Sequence, residues 1–355
     1  MNRAIHCRLA LVILALMVLG AAGWAVAQTS MQQPQASPKA VVSQTIGISE
    51  VTVTYHRPGV KGRTIWGGLV PYGQLWRVGA NENTTVSFSD PVKINGKDLP
   101  AGTYGLHMIP GQTEWTVIFS KNYSSWGSYF YNQSEDALRL TVTPQPAEPM
   151  EWLAFEFGDL TNTSGTLALH WEKLRVPLAL TFDTDALVVA HARNEFLRSN
   201  AAFSWQGYNQ AASYCLRRGI NLDEALGWAN KSITYNENFA NTSTKAALLE
   251  KLGRADEAKK ARERAEAVAV SEQDVNSLGY QYLQAKQFKE AIALFKKNAK
   301  EHPASMNVYD SLAEAYAQTG ETKLAVENYN KALSLAPDED AKIRIRGELQ
   351  KLQGK

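Results

Sequence analysis

Four basic side chains with the reach to hold an anion fall in one short stretch of this sequence: Arg57, Lys61, Arg63 and Arg77. Trp66, Trp76, Asn81 and Glu82 lie among or just beyond them, and Trp126 follows in another Gly-containing stretch. An arginine guanidinium is a planar fork that matches a carboxylate or phosphate with two parallel hydrogen bonds. A tryptophan face stacks on a sugar ring or another flat apolar surface. Bulky polar and aromatic groups on loops above a rigid sheet are where binding commonly resides. The nine residues therefore outline a site for a small anionic or carbohydrate ligand. They also have a structural use: the arginines can pair with Glu82 or Asp90, and the tryptophans can fill a core.

Catalytic patterns are missing from the rest of the sequence. His56, His107, His170, His191 and His302 stand singly, with no His-x-His or His-Glu-x-x-His spacing for a metal. There is no Gly-x-Ser-x-Gly elbow and no phosphate-cradling Gly-rich loop, so no cofactor and no metal is expected. Cys215 falls in a helical pattern and reads as core. Paired acids do occur, as Glu135-Asp136 and Glu156…Asp159, and a hydrolase built from dispersed carboxylates stays open as the alternative to a binding protein.

The elements that would position these residues change character near residue 182. Val51–Tyr55 and Leu138–Val142 alternate apolar with polar, the period of half-buried strands, and 115–119, 152–157 and 166–171 look similar. Asn95-Gly96 between Val92–Ile94 and Lys97–Leu99 accepts the positive φ angles of a two-residue hairpin turn. Short strands with turn signals at Pro71-Tyr72-Gly73 and Pro110-Gly111 predict an antiparallel β-sandwich or barrel over 41–182. Asp183 then offers an N-cap, Gly and Pro thin out, and 183–355 reads as all-helical. The fold class is thus an all-β domain followed by an all-α repeat.

Two windows of the helical half superpose 34 residues apart. Leu278 matches Leu312, Gly279 matches Ala313, Tyr282 matches Tyr316, Ala291 matches Ala325, Phe295 matches Tyr329 and Pro303 matches Pro337. Small residues let two antiparallel helices approach, aromatics fill the space towards the next helix, and proline closes the second helix. Period and residue types resemble the tetratricopeptide repeat, with clear copies at about 272–305 and 306–339. Asn298, where Ala332 stands in the next copy, departs from the pattern and should weaken packing there. Fainter copies run through Ala211, Tyr214, Ala225 and Ala229, and through Ala246, Leu249, Gly253 and Ala258, for three or four helix pairs in all. The resemblance implies that the first helix of each pair lines a groove. That groove would present Gln273, Asn276, Tyr280 and Gln284, then Asn307, Asp310, Glu314 and Gln318. Such a polar, mildly acidic surface suits an extended segment of a protein partner, although a merely solvated face would look the same.

In the β half, the string from Arg57-Pro58-Gly59 through Trp66-Gly67-Gly68 and Trp76-Arg77-Val78-Gly79-Ala80-Asn81-Glu82 is distinctive. With Pro100-Ala101-Gly102-Thr103-Tyr104 and Trp126-Gly127-Ser128-Tyr129, it resembles an exported bacterial family, domain of unknown function 2911. The resemblance spans about 40–180. It implies a bacterial cell-envelope location and brings no catalytic residues with it.

Arg3 and Arg8, the apolar run Leu9–Leu19 and the small-x-small Ala25-Val26-Ala27 read as a signal peptide over 1–27, followed by a flexible Gln/Pro/Ser leader over 28–40. The whole sequence has 37 basic and 35 acidic residues; removing 1–27 takes Arg3 and Arg8 and no acid, leaving 35 of each. A neutral chain lacks the electrostatic footprint for nucleic acid, and no later stretch is long and apolar enough to span a membrane. The expectation is an exported, periplasmic or secreted, non-enzymatic binding or scaffold protein. The alternative is a hydrolase acting on polysaccharide or another envelope substrate at the Arg/Trp-rich loop.

Overall fold

A computed structural model describes residues 33–354, so the signal segment expected over 1–27 and the first part of the leader lie outside the described residues. The leader ends earlier than its sequence suggests. Strand β1 (Lys39–Ile46) starts inside it, and the carbonyls of Ser37 and Pro38 accept hydrogen bonds from Asn81 and Arg57. The chain divides into two compact units, with the main break between Thr181 and Phe182.

The first unit is two antiparallel sheets. Six strands run in the order β1, β2 (Ser49–His56), β3 (Thr85–Phe88), β6 (Gly102–Ile109), β7 (Trp115–Ser120), β8 (Asp136–Val142). Four more run β5 (Lys97–Leu99), β4 (Val92–Ile94), β10 (Ser164–Thr181), β9 (Gln145–Gly158). Alternation sets the faces. Val51, Val53 and Tyr55 of β2 are buried, as are Leu138, Leu140 and Val142 of β8, and Leu167, Leu169 and Trp171 of β10. Four tryptophans close the interior: Trp66 lies 4.7 Å from Trp115 and 5.7 Å from both Trp76 and Trp171, edge to face, while Trp76 stacks on Trp171. Each such pair adds about 0.5–1.5 kcal/mol beyond its buried area. The Asn95-Gly96 turn has φ of +48° and +80°, the pair of positive angles the β4–β5 hairpin requires.

The second unit holds ten α-helices among the described residues. α1 (Thr184–Asn194) starts at Asp183, whose carboxylate accepts from the Ala186 N–H at 3.2 Å. Four antiparallel pairs follow: α2 (Trp205–Arg218) with α3 (Leu222–Tyr235), α4 (Phe239–Lys251) with α5 (Ala255–Val268), α6 (Glu272–Gln284) with α7 (Phe288–Glu301), and α8 (Met306–Thr319) with α9 (Thr322–Leu335). α10 (Glu339–Gln353) caps the series, its Ile345 and Leu349 buried against Tyr329 and Ala332 of α9. At the matched positions Leu278, Gly279, Ala291, Phe295, Leu312, Ala313, Tyr316, Ala325 and Tyr329 are all buried; Tyr282 is only half-buried. Asn298 is buried and donates its side-chain N–H to the Glu272 carbonyl at 2.9 Å. The polar residue thus ties α7 to the first turn of α6, where the sequence suggested only weaker packing.

No described helix is long and apolar enough to cross a membrane.

Glycine has a different reason at each of two helical positions, and the same substitution separates them. A Cβ at Gly279 would sit 2.4 Å from the fully buried Phe295 ring, whereas a Cβ at Gly227 in α3 would meet nothing within 4 Å. Gly279→Ala is expected to destabilise the helical unit by about 1–3 kcal/mol. Gly227→Ala is expected to stabilise it by about 0.5–1 kcal/mol. The midpoint of its urea transition, followed by circular dichroism, reads both.

Candidate functional site

The nine residues of the proposed anion or carbohydrate site do not converge. Residues 58–60 run beside β9, with Leu153 N–H donating to Pro58 and Val60 N–H donating to Glu151. Arg57 donates to the carbonyl of Leu153 at 2.8 Å, and Arg63 to those of Gly59 and Val60 at 2.5 and 3.1 Å. Lys61 lies 5.6 Å from the Trp152 ring. These three cations brace a loop. Neither arginine pairs with Glu82 or Asp90 as the structural alternative supposed: Glu82 is 3.3 Å from His56, and Asp90 accepts from Ser89. Trp66 belongs to the tryptophan core, so it too leaves the site.

Arg77 and Trp76 go elsewhere, and the strand period says why. Where β3 stops, Trp76 takes its lane, exchanging backbone hydrogen bonds with Met108 of β6 at 2.8 and 2.9 Å. Trp76 turns inward to Trp171, so its neighbour Arg77 turns to the outer face, the face of His107. There Arg77 donates to the Asn81 carbonyl at 2.6 Å and lies 5.7 Å from the Tyr129 ring. Gly127, at φ +61°, lets it pass: a Cβ would sit 2.7 Å from the guanidinium. The result is an open cleft of about 350 Å³ lined by Leu69, Gln74, Trp76, Arg77, Ser128 and Tyr129 among others. Around it and along the same loop, Tyr72, Tyr123, Trp126, Tyr129 and Phe130 are exposed, Tyr129 by 77% and Phe130 by 69%. Of the nine residues, Trp76 and Arg77 line this cleft. Asn81 braces Arg77, and Trp126 lies in the same loop as Ser128 and Tyr129. The sequence reading passed over Ser128, Tyr129 and Phe130, although Trp126-Gly127-Ser128-Tyr129 was among its distinctive strings.

Behind the cleft a polar cluster ties the 121–135 loop to the sheet. His107, 2% exposed, shares a 3.0 Å hydrogen bond between its Nδ1 and the Ser128 hydroxyl. Asp136 accepts from Tyr131 and from Arg139, each at 3.0 Å. Its bonds therefore go to those two side chains and leave the serine–histidine pair without an orienting acid. The acid pairs noted in sequence are likewise engaged separately: Glu135 accepts from Asn122, Glu156 lies 3.5 Å from His170 and Asp159 accepts from Thr166. Among the described residues no group of three His, Cys, Asp or Glu could hold a metal ion.

The helical candidates share the face of the first helices. Gln273, Gln284, Asn307 and Gln318 are exposed, and Asn276, Tyr280, Asp310 and Glu314 are half-buried. Tyr280 donates to Glu314 at 2.8 Å, and burial pushes its hydroxyl up to about 12. Asp310 is not a free acid of the groove, because Arg344 of α10 donates to it at 2.9 Å. This neutralising partner lies on α10, beyond the two clear repeats in which the groove residues were read. A row runs along the face at Asn209, Ser243, Asn276 and Asp310, spaced 34, 33 and 34 residues apart. At each, one side-chain oxygen is buried without a hydrogen-bond partner.

Burial holds the His107 imidazole down to about 4, opposed by Asp136 and assisted by Arg77. Its folded value thus lies below its unfolded one near 6.5, so between the two the unfolded chain binds more protons. Stability contributed by neutral His107 is present above about pH 6.5 and is lost as pH falls to about 4, by up to about 3 kcal/mol. Urea unfolding followed by tryptophan fluorescence at pH 7 and pH 4.5 should show this loss in the native chain and a smaller one in His107→Gln.

Two family models match separate parts of the chain. Residues 37–180 match the family described as "Protein of unknown function (DUF2911)", and residues 307–339 match the tetratricopeptide repeat. A search among curated proteins returned no match. Among solved structures, MamA from Desulfovibrio magneticus RS-1 is 20% identical, covering 42% of this chain and 93% of that one with a TM-score of 0.30. YrrB, described as a TPR protein with an unusual peptide-binding site, is 16% identical over 46% of this chain and 89% of its own, TM-score 0.31. PilF of Pseudomonas aeruginosa is 18% identical over 43% and 69%, TM-score 0.33. The chain joins an N-terminal DUF2911 domain to a region of tetratricopeptide repeats.

Proposed function

We propose that this chain is an exported, non-enzymatic scaffold of the bacterial cell envelope, in which the first-helix face of the repeats docks an extended segment of a protein partner. Tetratricopeptide repeats point to protein binding, and one observation carries the finer reading. The row Asn209, Ser243, Asn276 and Asp310 sets an oxygen with no partner of its own on each of four successive pairs. Polar side chains repeated at one position of each first helix suit an extended chain, whose own polar groups also recur at a fixed interval. The exposed amides of Gln273, Gln284, Asn307 and Gln318 lie on the same helices. Export is supported by Arg3, Arg8 and the apolar run that ends at Ala25-Val26-Ala27.

The β unit supplies a second binding place. In the cleft of Trp76, Arg77 and Tyr129, a guanidinium that no acid neutralises among the described residues stands beside exposed rings. That combination fits a small anionic or carbohydrate ligand.

Affinity capture from envelope extracts tests the docking. The triple variant Gln284→Ala, Asn307→Ala, Gln318→Ala changes exposed side chains and should leave the melting temperature unchanged while reducing capture at least tenfold. A chain ending at Phe182 should lose the same partner. Identical partner lists from the full chain, the variant and the truncated chain would sink the proposal.

A further inference from the structure

Successive helix pairs meet through one position of each second helix, and one junction breaks the pattern. That position holds Ala229, Arg262, Phe295 and Tyr329, spaced 33, 33 and 34 residues apart. Ala229 is buried with Leu249 of the next pair, Phe295 with Tyr316, and Tyr329 with Ile345 and Leu349 of α10. Arg262 does not fill its junction. Its side chain is 53% exposed and turns back to Glu250 on the partner helix α4. Tyr282 holds the place that Leu249 and Tyr316 take at neighbouring junctions; it stays half-buried and gives its hydroxyl to Glu266 of α5. The apolar interior divides here into two main clusters, bridged by a small group centred on Phe239, Ala265, Ala269 and Leu278.

A cleft of about 630 Å³ opens between α4, α5 and α6 as a result. Ala246, Ala265 and Leu278 are its small or short apolar walls, and the half-buried Tyr282 ring lines it as well. Arg262, Glu250 and Glu266 supply charge, and Ser243 brings a buried hydroxyl oxygen that has no partner. Ser243 and Gln284 line the cleft and also belong to the first-helix face, so the cleft opens onto the surface on which a docked segment would lie.

We propose that this cleft receives one tyrosine or tryptophan side chain of the docked protein segment, which takes the place that Phe295 and Tyr329 fill at other junctions. The inference rests on the docking reading above. The array itself shows that a ring fits at such a junction, since Phe295 fills the one between α7 and α8 and Tyr329 the one between α9 and the capping α10. The ring would lie on Ala246, Ala265 and Leu278, with the Arg262 guanidinium available to its face. Its hydroxyl or indole N–H would find the unpartnered Ser243 oxygen or a carboxylate. An aliphatic side chain would leave that oxygen unmet.

The test uses the full chain labelled at Ala and Leu methyl groups, titrated with p-cresol and indole as the two side-chain probes and with cyclohexanol as an aliphatic control. Saturable shifts at Ala246 and Leu278 are expected for the two aromatics and not for cyclohexanol. Arg262→Phe fills the junction from within, so it should weaken aromatic binding at least tenfold and raise the melting temperature. Arg262→Leu is a second filler should the first fold poorly, and Arg262→Ala, which leaves the cleft open but removes the guanidinium, should weaken aromatic binding only about two- to fivefold. No saturable shift in the native chain, or equal binding of cyclohexanol, overturns the proposal. The docking reading is judged apart, by partner capture. If Arg262→Phe loses the probes yet captures the partner as the native chain does, the cleft is no anchor and the proposal falls while docking stands.

Discussion

Two helices can stack along their length only where their backbones come close. In the helical unit that condition rests on one small residue per first helix: Ala212, Ala246, Gly279 and Ala313, all buried. At Gly279 the tolerance is less than one methyl group, because the Phe295 ring occupies the space a Cβ would need. Fixing that approach turns the remaining side chains outward in register. Asn209, Ser243, Asn276 and Asp310 then recur on one face, and Ala229, Arg262, Phe295 and Tyr329 recur at one junction. The face and the cleft both follow from that spacing, since neither row would align if the pairs slipped by a residue.

The β unit obeys a different constraint. Its interior is closed by four tryptophans packed mostly edge to face, and one of them, Trp76, sits in the lane that β3 vacates. The two-residue period of an extended chain then sends Arg77 outward, where Gly127 leaves it room against the 121–135 loop. Packing inside the sheets thereby turns Arg77, one of the four predicted cations, towards an open cleft. Arg57 and Arg63 answer a backbone need instead: they cap carbonyls where 58–60 runs beside β9.

Much of this was legible in sequence because it depends on local period. The two-residue alternation located the strands, the Asn95-Gly96 hairpin formed as read, and the 34-residue match located buried positions down to Phe295 and Tyr329. The details of the candidate sites were less legible because they depend on which strand lies beside which. Arg57, Arg63 and Arg77 are alike in type and close in sequence, yet Arg63 turns to Val60 and Gly59 in its own loop, whereas Leu153 beside Arg57 and Tyr129 beside Arg77 come from separate segments. His107 and Ser128 carry no shared pattern and meet only because the 121–135 loop folds over β6. Arg262 differs in kind. Its departure from the aromatic position is visible once the repeat register is extended upstream, but its consequence, a cleft, needs the structure of the junction. Asp310 likewise reads as a free acid until Arg344 of α10 is placed beside it.

The claim that the first-helix face docks protein is met most directly by site-specific photocrosslinking in intact envelopes. A benzophenone amino acid would be placed at Asn307 on α8 or at Glu327 on α9. The account predicts a discrete protein adduct from position 307 and none from position 327. Adducts from 327 alone, or equal adducts from both, would contradict it.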